Sequence, residues 1–450
     1  MMKTTAKTPL KAAVSFGWSL KLKGLRWWII AMICLGTIIN YLARNSLGVL
    51  APTLQKELSF TTQEYSYVVG AFQAAYGLMQ PVCGYLLDLI GLKVGFAVFA
   101  VIWSLANCFH GFAGGWGMLA FFRGLLGVSE AAAIPAGIKA VNEWFPAKER
   151  SVAVGFFNAG TSLGAILAPP LVIFVQLRYG WQGAFIVTGA LGFIFATLWY
   201  AFYHSPKSHP LISESERDYI LAGQSSPAPT DFGKERRPDV KTILSTKRFW
   251  GIAIPRFLAE PAWETFIFWI PLYLSTVRGM NLKEIALFAW LPFLAADIGG
   301  ILGGYLSPFF MKYFKMSVVN SRLAGVVIGA VCMIGPGCIG LAANAYTAIA
   351  LFSLGGFAHQ MISALINTLS ADVFEHHEVA TANGFTGTAA MAGGFIFSLV
   401  VGALANTIGY NPLFVCLTVF DLVGAAVAIA LLRDRGAGVA SKRATAGGSF

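Results

Sequence analysis

Three arginines, Arg44, Arg123 and Arg256, stand inside long apolar stretches of the chain. An arginine at the centre of a bilayer costs about 2.5 to 3.5 kcal/mol on insertion scales, so each needs a partner or a task. Arg44 follows Tyr41 by three residues and Asn40 by four. Helical spacing puts all three on one face, a cation flanked by hydrogen-bonding groups, which suits a ligand carboxylate that also carries hydroxyls. The alternative is an arginine tied to an acid only to lock packing. Arg123 and Glu130 lie seven residues apart, nearly two turns along one stripe. Burial favours the neutral form of a carboxyl and a guanidinium favours the charged form. A group held between the two can load a proton on one side of a membrane and release it on the other. A permanent ion pair is the competing reading. Arg256, Glu260, Trp263 and Glu264 repeat at three-to-four spacing, where Glu260 is expected to partner Arg256, with a second proton site as the alternative.

Other polar residues also fall on shared helical faces: Gln73, Tyr76 and Gln80; Asn158 and Thr161; His359, Ser363 and Asn367; Asn383 and Thr386. Their hydroxyls and amides can read ligand hydroxyl groups, although any one of them is more often an interhelical hydrogen bond worth about 0.6 kcal/mol. His359 is expected to be neutral and satisfied. The six cysteines (Cys34, Cys83, Cys108, Cys332, Cys338, Cys416) show no metal-ligand spacing and read as small core residues. No disulfide, metal or cofactor is expected. The apolar runs hold no H-E-x-x-H or comparable grouping, which argues against a membrane-embedded enzyme.

The elements that must position these residues follow from composition. Of 450 residues 56% are apolar and 12% charged, and the mean hydropathy is +0.67. Such a chain lives in lipid, where only a helix of roughly 20 mostly apolar residues satisfies its own backbone. Apolar runs between charged or Pro/Gly-rich breaks give twelve spans, near 27–51, 66–89, 94–113, 116–139, 151–175, 181–203, 249–275, 284–311, 317–342, 345–369, 379–406 and 411–432. The one long polar segment, 204–248, splits them six and six. The expected organisation is therefore a tail at 1–26, a six-helix bundle at 27–203, a central loop at 204–248, a second bundle at 249–432 and a tail at 433–450. Lys3, Lys7, Lys11, Lys21, Lys23 and Arg26 crowd the first tail, and the central segment is also basic, whereas the opposite loops carry only Lys56, Arg178, Arg278 and Lys283. Basic loops stay in the cytoplasm, so both termini are expected there. Topology then accounts for the net charge of +11, and no nucleic-acid partner is called for. No cleavable signal peptide is expected, because the first apolar run is too long. Prolines 135, 169, 170, 255, 271, 292 and 336 mark places where spans can kink.

The halves echo one another: the segment at 149–160 resembles that at 378–387, and Gly84-Tyr-Leu resembles Gly304-Tyr-Leu. Between the second and third spans stands Gly84-Tyr-Leu-Leu-Asp88-Leu-Ile-Gly91-Leu-Lys93. It resembles the G-x-L-x-D-x-x-G-x-[RK] signature of the major facilitator superfamily. There Gly84 lets helices approach, Gly91 permits a tight turn and Asp88 pairs a cation or caps a helix. Longer strings at 135–150, 255–263, 281–290, 355–360 and 378–384 resemble the anion:cation symporter branch, and within it the bacterial hexuronate transporters, over roughly residues 24 to 432.

The resemblance implies an all-α membrane protein of twelve helices in two bundles, located in the bacterial inner membrane, expected to act as a monomer and importing glucuronate or galacturonate with protons. Another sugar acid, an aldonate or aldarate, or an uncoupled anion facilitator or channel, is the alternative. By resemblance, Tyr41, Arg44 and Tyr76 contact substrate, Glu130 carries the proton and Arg123 is its charge partner, and protonation of Glu130 is expected to free Arg123 as a second cation for the substrate carboxylate. Thr161, Trp263, His359, Asn367 and Thr386 are the further candidate contacts, Trp263 as a surface for a sugar face. The chain departs from part of the branch at Ala43, where some relatives have an aspartate as a second protonation site.

Overall fold

A computed structural model describes residues 23–146, 149–224, 240–374 and 379–433. Nearly all of both tails lies outside these residues, as do Lys148, Glu378 and the centre of the polar segment with Lys234 to Pro238. Every regular element described is a helix. The first half comprises α1 (Leu25–Glu57), α2 (Thr62–Ile90), α3 (Leu92–His110), α4 (Trp116–Glu130), α5 (Ala133–Trp144) and α6 (Arg150–Phe202). Helices α4 and α5 form one broken span. α6 is two spans merged across Gly180, whose positive φ of 74° folds the chain back on itself. After α7 (Glu214–Gln224) and α8 (Val240–Ser245), the second half runs through α9 (Lys247–Glu264), a π-turn (Thr265–Trp269), α10 (Ile270–Thr276), α11 (Leu282–Phe288), α12 (Leu291–Phe314), α13 (Val318–Cys332), α14 (Ile334–Gly337), α15 (Ala345–Val373), α16 (Val379–Ile408) and α17 (Asn411–Leu432).

Among the described residues nine helical stretches are long and apolar enough to cross a membrane. One of them is the double span of α6. The two expected spans missing from the nine are α2, which carries several polar side chains, and α9 with α10, which is interrupted. Twelve spans in two bundles of six result. Large apolar side chains on their outer faces, such as Leu78, Phe121, Ile194 and Ile301, are exposed, as lipid contact requires.

Local signals set the helix ends. Thr61 and Glu64 make a reciprocal capping box at the start of α2, and Asn281 and Glu284 make another at α11. Gly91, at φ 86°, is the turn between α2 and α3, as the loop signature implied. At Gly84 the close helix approach expected of it is not seen. A methyl group there would meet Pro135 only at 3.8 Å, an ordinary contact, so close helix approach does not require this glycine. Lys93 reaches His204, Nζ to Nε2 at 2.7 Å. The Asp88 side chain lies outside the described residues.

The polar segment 204–248, expected as a loop, has helical structure in its described part. Its described part carries α7 and α8, and α7 docks on the first half. Glu216 accepts the backbone N–H groups of Leu25 and Arg26, which open α1, and pairs with the Arg26 guanidinium at 3.0 Å. This carboxylate at a helix N-terminus satisfies donors that the helix leaves open.

The two halves meet asymmetrically. At the end away from the start of α1 and the end of α17, one apolar core runs across the seam, joining Leu47, Leu50, Leu54, Val68 and Val69 to Phe266, Trp269, Ile270 and Leu274. At the other end the first half has a separate core around Ile29, Ile33, Trp144 and Trp199. The seam is therefore shut at one end only. Pro271 helps to build the closed end, since it has no N–H for the carbonyl of Ile267 four residues earlier and the helix widens there into the π-turn. That Ile267 carbonyl lies against Gly48 of α1, where a methyl group would stand only 2.1 Å away. The next carbonyl, of Phe268, accepts the Tyr65 hydroxyl at 2.9 Å.

Candidate functional site

A central cavity of about 690 Å³ opens between the halves, within the usual size range of small-ligand sites. The first half lines it with Tyr41, Ile134, Gly155, Ala159, Thr161 and Ser162. The second half contributes Glu260, Trp263, Asp297, Gly300, Ile301, His359, Gln360, Ser363 and Ala364. Tyr41 is placed by a tight crossing of α1 and α6: a methyl group on Gly164 would lie 2.6 Å from the Ile38 carbonyl and 2.7 Å from the Tyr41 side chain.

Behind Tyr41 the intramembrane charges converge. The Arg44 guanidinium carbon lies 4.5 Å from the Tyr41 ring, 4.7 Å from Tyr76 and 5.0 Å from Phe72, an aromatic cage of the kind that holds cations. Arg44 Nε donates to Glu130 Oε2 at 3.0 Å. Glu130 is fully buried, and its Oε1 has no partner. Arg123 does not pair with Glu130, contrary to expectation. Its Nη2 donates to the backbone carbonyl of Arg44, its guanidinium lies 4.8 Å from Phe72 and 5.4 Å from Phe268, and its Nε and Nη1 are unpartnered. Seven residues carry Arg123 two turns along α4, level with the next turn of α1, so Arg44 is the cation that reaches Glu130. The result is a buried cluster with surplus hydrogen-bonding capacity, in which the Glu130 carboxylate occupies the one guanidinium adjoining the cavity through Tyr41.

The second half differs more from expectation. Arg256 is not within ion-pair distance of Glu260; its Nη1 donates to the Thr386 hydroxyl at 3.0 Å. Thr386 is fully buried and donates onward to the Asn383 carbonyl, so it serves Arg256 and does not line the cavity. Asn367 is exposed one turn beyond Ser363, to which its Nδ2 donates at 3.4 Å, and it too is outside the cavity wall. Trp263 and His359 do line the cavity, but as a parallel stack with ring centres 5.6 Å apart, so one face of the indole is already covered by the histidine. His359 Nδ1 is buried and has no partner, against the expectation of a satisfied histidine. Glu264 accepts from Gln73 Nε2 at 2.8 Å, a bond between the halves that Ser398 shares at 3.2 Å.

Asp297, Ser162 and Gln360 line the cavity and escaped the sequence reading, as did Asp421, which is buried on α17 with Oδ2 unpartnered. Asp297 and Asp421 are lone acids in otherwise apolar runs, a signal available to any count of intramembrane acids as well as bases.

A twelve-span, two-bundle fold with a polar midplane cavity and buried charges beside it defines a multi-pass membrane transporter, not an enzyme. The sequence profile of the Major Facilitator Superfamily matches residues 33–336, and the chain belongs to that family. It is 54% identical over 415 residues to the hexuronate transporter of Escherichia coli strain K12, across 92% of this chain and 96% of that one. It is 53% identical over 330 residues to the galacturonate transporter of Dickeya chrysanthemi, across 73% of this chain and 95% of the relative. Among solved structures, a bacterial homolog of the human lysosomal transporter Spinster, crystallised inward-facing and unoccupied, superposes with a TM-score of 0.74 at 17% identity, covering 93% of this chain and all of that one.

Proposed function

We propose that this protein imports a sugar monoacid, with the hexuronates glucuronate and galacturonate as substrates, together with protons and by alternating access across the bacterial inner membrane. The observation that carries the reading is the buried Arg44–Glu130 pair behind Tyr41, at the edge of the cavity. A substrate carboxylate and the Glu130 carboxylate compete for the same guanidinium. A proton on Glu130 removes its charge and leaves Arg44 for the substrate; departure of the substrate lets Glu130 return to Arg44 and give up the proton. Each ligand thereby changes the affinity for the other by the same factor. Arg123 holds the Arg44 backbone and adds positive potential, which refines the earlier expectation that Arg123 was the cation to be freed. Tyr41 and Tyr76 cage the Arg44 guanidinium, Tyr41 also facing the substrate with Thr161, while Trp263, His359 and Gln360 take its hydroxylated end.

With both termini in the cytoplasm, as the distribution of Lys and Arg supports, the shut end of the seam faces outward and the cavity releases cargo inward. Rocking of the bundles must then part the contacts of Gly48, Tyr65 and Gln73 with the second half. The working unit is a monomer. The experiment is counterflow of labelled glucuronate in proteoliposomes, with galacturonate and galactonate as competitors. Exchange of both hexuronates is expected. Failure of both to exchange discards the substrate while leaving the fold intact.

A further inference from the structure

The proposed cycle leaves two cavity carboxylates unused, Glu260 on α9 and Asp297 on α12. No cation among the described residues forms an ion pair with either. Ser162 of the first half lines the same cavity as the Asp297 carboxylate of the second. Beside these acids His359 is 3% exposed and leaves Nδ1 without a partner, so this wall has both acceptor groups and an unsatisfied buried polar atom. Arg44, which adjoins the cavity through Tyr41, belongs to the first half, and the two cavity carboxylates belong to the second, where Arg256 stands one turn from Glu260 without pairing with it. The cavity is thus polarised across the seam.

A sugar monoacid matches that polarity, with its carboxylate at one end and hydroxyl donors at the other. A carboxylate accepts hydroxyl hydrogens and donates none. A sugar diacid of the same length would bring its second carboxylate against Asp297 and Glu260, and like charges meeting in a confined site are a strong basis for rejection. We propose that Asp297, seconded by Glu260, is the selectivity element of the cavity: it accepts substrate hydroxyls and excludes sugar diacids by charge. This rests on the sugar-acid reading above.

The test uses the full-length protein in proteoliposomes exchanging labelled glucuronate, with unlabelled glucuronate and the diacid glucarate as competitors. In the unaltered protein glucarate should compete at least about tenfold less well than glucuronate, and in D297N that gap should shrink by about tenfold, a difference of one charge contact. D297S carries the same comparison, and ligand-induced thermal stabilisation of the purified variant replaces exchange if turnover is lost. An unchanged ratio in both variants, or equal competition by glucarate in the unaltered protein, overturns the inference. Failure of the unaltered protein to exchange glucuronate falls instead on the sugar-acid reading.

Discussion

Glu130 Oε2 accepts from Arg44 Nε at 3.0 Å, and the pair is buried between helices that are far apart in sequence. Removing one member of such a pair strands the other, so the arrangement has few stable states: paired, or with the acid protonated and the cation held by something else. In the proposed cycle, a substrate carboxylate arriving from the cavity is that something else.

Arg44→Ala should abolish hexuronate binding, with affinity falling at least about 30-fold, the lower end for truncating a buried charged hydrogen-bond partner. Arg44→Lys keeps the charge but not the planar fork, and should recover only part of the loss. Binding measured by ligand-induced thermal stabilisation checks both, and near-normal affinity in Arg44→Ala would remove this residue from the site.

Gly48→Ala should loosen the closed end of the seam. A methyl group 2.1 Å from the Ile267 carbonyl forces the helices apart, and overpacking of this kind costs about 1 to 3 kcal/mol. Spin labels at Thr62 and Asn406, which touch across that end, should report a longer distance in the variant once the native cysteines are replaced. An unaltered distance distribution contradicts the assignment of this contact to closure.

Transport should be electroneutral if Glu130 is the sole proton carrier, because one proton then accompanies one monoanion. Ala43 supplies no second carboxyl where part of the branch has one. A membrane potential contributes about 2.3 kcal/mol per charge per 100 mV, and here it should contribute nothing. Uptake into vesicles at a fixed pH gradient, with and without an imposed potential, checks this; strong stimulation by an inside-negative potential would point to a second carrier, for which Glu264 and Asp421 are the buried acids at hand.

The spans were legible in the sequence because lipid leaves the backbone no choice but the helix, and the split into halves was legible from the polar segment at 204–248. Tyr41 and Arg44 meet as their shared helix face implied, but that Glu130 joins them was not implied. Which cation pairs with Glu130 was not legible, since a stripe along α4 records what shares a face with Glu130 but not the height at which α1 crosses it. The same limit applies to Arg256, whose neighbour along the helix is Glu260 but whose partner in space, Thr386, comes from α16. Asp297 stands alone in its apolar run, with no basic residue at helical spacing to mark it. The π-turn between Glu264 and Ile270 is a tertiary outcome: Pro271 forbids one bond, and contacts from Gly48 and Tyr65 decide how the helix accommodates its loss.

The competition of two carboxylates for Arg44 is tested most directly by counting protons taken up per glucuronate bound, in the unaltered protein and in Glu130→Gln, at a pH where Glu130 is charged in the empty protein. Uptake approaching one proton per ligand in the unaltered protein and none in the variant, which should still exchange substrate but lose proton-driven accumulation, is the predicted result. Equal proton uptake in the two proteins, or accumulation surviving in Glu130→Gln, would contradict it.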